Sequence, residues 1–324
     1  MTGTTRPPDE IVQARPGRSP APPRRPRTSR SGLENRAGYA FLSPWLLGLV
    51  GITVGPMLVS LYLSFTDYPI LAAPEWIGLD NYRRMLTEDA TFLTSLKVTI
   101  AYLAFSVPLV VIVALLLALL LNQKVRGISI YRAVFYVPSL IGGSVAIAFL
   151  WRWLFESDGI LNSILRVVGL ESTWSWIGHP DTALSTLVVL NVWQFGAAMI
   201  IFLAAIKQIP ASLYEAALVD GAGPFRRFFS ITLPILTPII FFNMIMNVIA
   251  AFQAFNTAYV VSDGTGGPAN STLFYTLYLY QRGFIDFEMG YASALGWVLF
   301  VIIAIVVGIF FATAGRWVYF GDEK

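Results

Sequence analysis

The sequence predicts an all-α membrane protein with six transmembrane helices. An apolar composition, six long uncharged stretches and a skewed distribution of basic residues carry this prediction. Of the 324 residues, 56% are hydrophobic and 13% charged, against roughly a quarter charged in soluble domains. A water-soluble enzyme is excluded as the default. With no cysteine and one histidine, His179, the chain has no disulfide framework, no thiolate nucleophile and little scope for a metal cluster.

A helix needs about 20 mainly apolar residues to cross the hydrocarbon core. Phe41 to Phe65, Val98 to Leu121, Ala133 to Leu150, Ala183 to Ile206, Thr237 to Val261 and Met289 to Ala314 meet that need, and none contains Asp, Glu, Lys, Arg or His. The third is the shortest, and its apolar character runs on past Arg152 toward Phe155. The first starts near residue 41 and is too long for a signal peptide. With the N-terminus inside, residues 1–40, 122–132, 207–236 and 315–324 carry 16 of the 22 Lys and Arg, and the outer loops carry 6. The positive-inside rule therefore predicts a multi-pass protein of the cell membrane with both termini cytoplasmic.

Residues 1–40 form a basic tail rich in Arg, Pro and Ser. Such a composition cannot bury enough surface to offset its ordering entropy and predicts disorder. A solvated topology signal is its simplest reading, and contact with anionic lipid headgroups is its functional one. No aromatic residue is interleaved before Tyr39, so nothing favours nucleic acid as a partner. The six-helix domain then covers residues 41–314, with a short cytoplasmic tail at 315–324.

The spans exclude several chemistries. A proton-driven transporter buries Asp, Glu or His to carry charge, and an intramembrane hydrolase needs a base or metal at depth. Neither is present in these stretches. None of the four lysines follows a glycine, so no P-loop is present. Any pumping must draw its energy from another subunit.

The loop 207–236 is the most informative segment. It contains Pro210-Ala211-Ser212-Leu213-Tyr214-Glu215-Ala216-Ala217-Leu218-Val219-Asp220-Gly221-Ala222-Gly223-Pro224. Pro210 breaks the chain after the fourth span. Ser212 and Glu215 have the spacing of a capping box. Gly221 or Gly223 can end the helix in the left-handed conformation, and Pro224 prevents its continuation. A short helix of about 13 Å at 1.5 Å per residue is predicted. A second short helix, Phe225 to Leu233, follows and is expected to stop at Pro234.

Glu215-Ala216-Ala217, Gly221 and Ile231-x-Leu233-Pro234 fill every fixed position of E-A-A-x-x-x-G-x₉-I-x-L-P. This loop resembles the EAA loop in the permease subunits of bacterial ABC importers. Trp76 to Tyr82, Arg132 to Pro138, Trp151 to Phe155, Gly266-Gly267-Pro268 and Gly290 to Ala294 extend the resemblance over roughly residues 38 to 315. Together they resemble the carbohydrate-uptake branch, which includes the larger maltose permease and the glycerol-phosphate permeases.

The resemblance implies a type I ABC importer permease fold with a cytoplasmic coupling helix. It implies a second permease subunit in a heterodimer, an ATPase dimer, an extracytoplasmic solute-binding protein and a sugar substrate. ATP and Mg²⁺ belong to the partner ATPase, and this chain is non-catalytic with no cofactor of its own. Glu215, Ala216 and Gly221 would sit at the ATPase contact, with Ala217, Asp220 and Ala222 beside them. Sugar contacts fall at Asn191, Gln194, Asn247 and Gln253. On residue spacing alone, Asn191 and Gln194 share one helix face, as do Asn243 and Asn247. Amides in membrane helices also join helices by hydrogen bonds. Gln253 lies about 80° round from Asn243 at 100° per residue. Uncharged amides suit a neutral mono- or oligosaccharide. The alternative from another class is an ATP-independent facilitator or channel for small polar solutes. Arg152 is expected to snorkel to the headgroups, and Tyr39, Trp45, Trp151, Trp153 and Trp317 to form an interfacial belt.

Overall fold

The computed structural model describes residue 3 and residues 30–123, 125–169 and 174–319. The chain divides into two compact units, Met1–Pro56 and Met57–Lys324. Most of the basic tail, residues 4–29, lies outside the described residues.

In the first unit, α1 (Arg30–Gly48) runs into a π turn at Leu49–Val54. Helix α1 begins ten residues before the tail boundary expected at residue 40. Helix propagates cheaply from an existing helix, and Leu33, Glu34, Arg36 and Ala37 favour it. α2 (Gly55–Leu63) continues the first span. Pro56 would clash with the carbonyl four residues back in a regular helix, and that residue, Ile52, lies in the π turn.

The second unit starts within α2, at Met57, and continues with a two-stranded antiparallel ribbon, β1 (Thr66–Asp67) and β2 (Glu75–Trp76), with Thr66 opposite Trp76. α3 (Asp80–Thr87) follows. Its buried Asn81 donates to the carbonyls of Ser64 and Thr66 at 3.0 and 2.9 Å, closing the end of the first span. α4 (Ala90–Leu121) is the long central helix, on which later helices pack. Its 32 residues span about 48 Å at 1.5 Å per residue, more than the hydrocarbon core requires. The remaining helices are α5 (Ile128–Ile141), α6 (Val145–Phe155), α7 (Ile160–Val167), α8 (Pro180–Trp193), α9 (Gly196–Gln208), α10 (Ala211–Val219), α11 (Pro224–Arg227), α12 (Leu233–Phe252), α13 (Asn256–Val261), α14 (Tyr275–Tyr280) and α15 (Met289–Trp317).

Among the described residues, four helical runs are long and apolar enough to cross a membrane: Gly38–Leu63, Ala90–Leu121, Pro224–Phe252 and Met289–Trp317. Two bent pairs bring the number to six when each pair is counted as one span. Ile128–Ile141 meets Val145–Val167 at 99°, and Pro180–Trp193 meets Gly196–Gln208 at 43°. The third and fourth spans are thus broken helices, where the apolar stretches alone predict continuous ones. The fifth ends at Phe252, not at Val261. Pro234 does not stop a short helix as expected. A π turn at Phe228–Thr232 precedes it, the Leu233 N–H bonds the Phe228 carbonyl, and the helix runs on. The wider turn accommodates the missing proline donor.

The core joins α4, α8, α12, α14 and α15. Thr99 of α4 accepts the Tyr275 N–H at 2.8 Å, and the Tyr275 hydroxyl donates to the Leu295 carbonyl at 2.8 Å, so α14 is pinned between α4 and α15. Asp89 caps α4, accepting from Thr91 and Phe92 N–H at 3.0 Å. Its other oxygen accepts the hydroxyls of Tyr278 and Tyr291. Burial raises the Asp89 pKa, but the hydrogen bonds from Tyr278, Tyr291 and the Phe92 N–H, with the Arg282 charge, outweigh it and leave the carboxyl below its ordinary range.

Candidate functional sites: an exposed capped helix and an amide-lined cavity

Pro210 places α10. Its φ of −58° and ψ of 130° break the chain after α9, and the helix begins at the next residue. Pro210, not Ser212, is therefore the N-cap, and no side chain caps this end. The expected capping box does not form because Ser212 already lies inside the first turn.

The other end is closed by backbone alone. Gly221 adopts φ +72°, a conformation glycine takes without steric penalty. The Gly221 N–H bonds the Leu218 carbonyl at 3.0 Å and the Ala222 N–H bonds the Ala217 carbonyl at 2.8 Å. These are the two bonds of a Schellman motif. Pro224 then opens α11 at its first position, where its missing N–H costs nothing. The Tyr214 hydroxyl is 2.9 Å from the Thr232 hydroxyl, tying α10 to the π turn before α12.

No residue of α10 is buried. Glu215, Ala216, Asp220 and Gly221 are exposed, and Ala217 and Ala222 are half-buried. Neither Glu215 nor Asp220 has an ion-pair partner among the described residues. Leu213, Leu218 and Val219 are also exposed, Val219 at 89%. The result is a rigid helix whose apolar and acidic side chains are both uncovered.

The second site is a cavity of about 240 Å³ whose polar lining includes Asn191, Gln194, Gln253 and Asn256. Three helix breaks meet there. Gly143 comes from the α5–α6 break, Gln194 from the α8–α9 break, and Gln253 to Phe255 from the α12–α13 break. In lipid, irregular backbone is tolerated where it lines a cavity and finds new partners. Ser144 caps α6 by accepting the Ile147 N–H at 3.3 Å. The Thr276 hydroxyl donates to the Ala254 carbonyl freed by the third break.

Close approach of backbone and side chain shapes the wall. A Cβ at Gly142 would lie 2.3 Å from the Gln194 Cγ, so this glycine makes the room Gln194 occupies. A Cβ at Gly196 would lie 2.8 Å from the Phe135 carbonyl oxygen, bringing α9 against α5. The Trp151 indole donates to the Thr186 carbonyl at 3.0 Å, joining α6 to α8.

Asn191, Gln194 and Gln253, three of the five predicted path residues, share this cavity. Asn243 and Asn247 are not in its lining. Asn243 is 3% exposed and donates to the Ile239 carbonyl at 3.0 Å, and Asn247 donates to the Asn243 carbonyl at 2.9 Å. Each bonds its own helix, as Gln194 does through the Leu190 carbonyl at 3.2 Å, so the cavity lining alone separates the two groups. Gln253 reaches the cavity because the helix stops at Phe252, so the angular reading that assumed a continuous helix does not apply. Gly142, Gly143 and Tyr102 escaped notice. A Gly-Gly pair inside an apolar run is the signal for the first two. Arg152 pairs with Asp263 and lies 3.7 Å from Glu156. One smaller expectation changes. Trp151 is buried against Trp193 and Phe155 instead of joining an interfacial belt.

Residues 91–319 match the family model described as "Binding-protein-dependent transport system inner membrane component". The chain belongs to this family. It is 52% identical over 291 residues to the "Probable ABC transporter permease protein YesP" of Bacillus subtilis, covering 90% of this chain and 94% of the relative. It is 35% identical to the arabinooligosaccharides transport system permease protein AraP of Halalkalibacterium halodurans, over 83% and 84% of the two chains. It is 32% identical to the lactose transport system permease protein LacF of Rhizobium radiobacter, over 86% and 95%. The fold matches a chain in the crystal structure of a bacterial alginate ABC transporter in complex with an alginate pentasaccharide-bound periplasmic protein. That match has a TM-score of 0.77 at 23% identity, over 90% of this chain and 98% of that one. The chain is thus a multi-pass inner-membrane permease component.

Proposed function

We propose that this permease moves a neutral mono- or oligosaccharide across the cell membrane by alternating access, driven by a separate ATPase. The observation that carries the reading is α10, a helix with no buried residue, closed at its C-terminal end by Gly221 and held to the π turn before α12 through Tyr214 and Thr232. A rigid helix transmits rigid-body motion, whereas a floppy loop absorbs it. Glu215, Ala216, Ala217, Asp220, Gly221 and Ala222 form the ATPase contact, and Leu213, Leu218 and Val219 supply apolar area for it. The ATPase binds ATP and Mg²⁺; this chain supplies no catalytic residue. A second, different permease completes the membrane pair, and an extracytoplasmic binding protein delivers the sugar. Both termini lie in the cytoplasm, in line with the basic residues of the segments on that side.

Asn191, Gln194 and Gln253 hydrogen-bond the solute, with Asn256 beside them in the same cavity. The names of the relatives support a carbohydrate, and the uncharged amides support a neutral one. The test is to purify the tagged chain from its native membrane in mild detergent, after crosslinking, and identify what accompanies it. A P-loop ATPase with a second permease is the expected result. A chain that purifies alone or only with itself overturns the reading.

A further inference from the structure

The end of the bundle that carries α10 also holds an apolar groove of about 450 Å³. It is lined by Leu116 and Leu119 of α4, Pro224 and Phe225 of α11, and Phe228 and Phe229 of the following π turn. Phe225 is 80% exposed and Phe229 60%. Position and charge restrict what can fill it. α4 ends at Leu121, so Leu116 and Leu119 lie within about 8 Å of the helix end at 1.5 Å per residue. The groove thus lies at one end of a helix long and apolar enough to cross the membrane, the region where apolar side chains meet headgroups and acyl chains.

The same segment is strongly basic. Arg226 and Arg227 stand between Phe225 and Phe228 in the last turn of α11. Neither has an acidic partner among the described residues, and the Arg227 Nε is buried without a hydrogen bond. Arg132, at the start of α5, donates to the Leu121 carbonyl at 2.7 Å and brings a third guanidinium to the end of α4. An apolar slot beside unpaired arginines at the membrane boundary matches the two halves of one molecule, an acyl chain and a phosphate.

We propose that this groove holds an acyl chain of an anionic phospholipid, with its phosphate near Arg226, Arg227 and Arg132. α11 follows α10 directly across the Gly221 turn, so the lipid braces the exposed helix from the membrane side. The site stands on the groove, its place at the end of α4 and its charge, and does not depend on the importer reading.

Native mass spectrometry of the full chain, released from nanodiscs of phosphatidylcholine with and without phosphatidylglycerol, tests the site. At about 1 kcal/mol per basic residue near an anionic surface, each arginine gives a roughly fivefold preference for the anionic lipid. Wild type is expected to retain phosphatidylglycerol preferentially. The Arg226→Gln, Arg227→Gln double variant should lose the preference. Leu119→Trp, which fills the groove from α4, should lower retention of both lipids while helical content and elution stay unchanged. Equal retention of the two lipids by wild type, or a preference unchanged in the double variant, overturns the proposal. A photo-crosslinker at Phe225 that captures polypeptide instead of phospholipid in native membranes also overturns it.

Discussion

In α10 every feature that shapes the segment lies between Pro210 and Pro224: the break, the left-handed glycine and the two closing hydrogen bonds. The cavity draws on residues from Tyr102 to Thr257, carried by four helices and three breaks between helices. The first site is a local object and the second a product of packing. They fail differently. A single substitution in α10 damages a surface and leaves the bundle intact, whereas a substitution behind the cavity moves a side chain belonging to another helix.

The largest expected effect is at the local site. Glu215→Lys should leave the chain inserted and paired but reduce sugar uptake by roughly tenfold or more, since misplacing a charge in a closed interface costs about 2–5 kcal/mol. Uptake assays in vesicles with matched protein levels check this, and wild-type uptake by the variant would sink the coupling assignment. Gly142→Val probes the packed site. Its Cβ would fall 2.3 Å from the Gln194 Cγ, and overpacking of this kind costs about 1–3 kcal/mol. Uptake should fall while partner recovery in a pull-down holds; uptake equal to wild type would separate Gln194 from the path.

Asn191→Ala should lower uptake by roughly fivefold, the loss of one hydrogen bond of about 1 kcal/mol. Asn247→Ala should change it less, because Asn247 is outside the cavity lining and an intramembrane hydrogen bond averages about 0.6 kcal/mol. If the two variants rank the other way, the division between the amides that line the cavity and those that do not is wrong.

Asp89 sets a control away from both sites. Because its native pKa lies below the ordinary value, its stabilisation is present above about pH 4 and is lost as pH falls through the lower native value. Asp89→Ala should lower stability by about 0.5–2 kcal/mol as an N-cap loss and flatten the acid limb of a thermal-unfolding series in detergent. An unchanged acid limb would remove Asp89 from the junction of α4, α14 and α15.

The number and approximate position of the spans were legible because about 20 apolar residues are needed whatever the packing. Glu215, Ala216, Ala217 and Gly221 were legible because a motif of fixed spacing holds them. Ser212 misled because a capping-box spacing names a possible N-cap without excluding the proline two residues earlier. Asn243 and Asn247 were grouped by a shared helix face, which says where two amides point on the wheel and not whether they reach the cavity that Asn191, Gln194 and Gln253 line.

Sequence alone determined the membrane class, the six apolar segments and the short helix ended by Gly221, since hydropathy and local backbone preference act over a few residues. Tertiary structure alone decided where the third, fourth and fifth spans break and which amides meet. A break in lipid is stable only when neighbouring helices take up the freed backbone groups. Those partners, such as Thr276 for the Ala254 carbonyl, lie far along the chain.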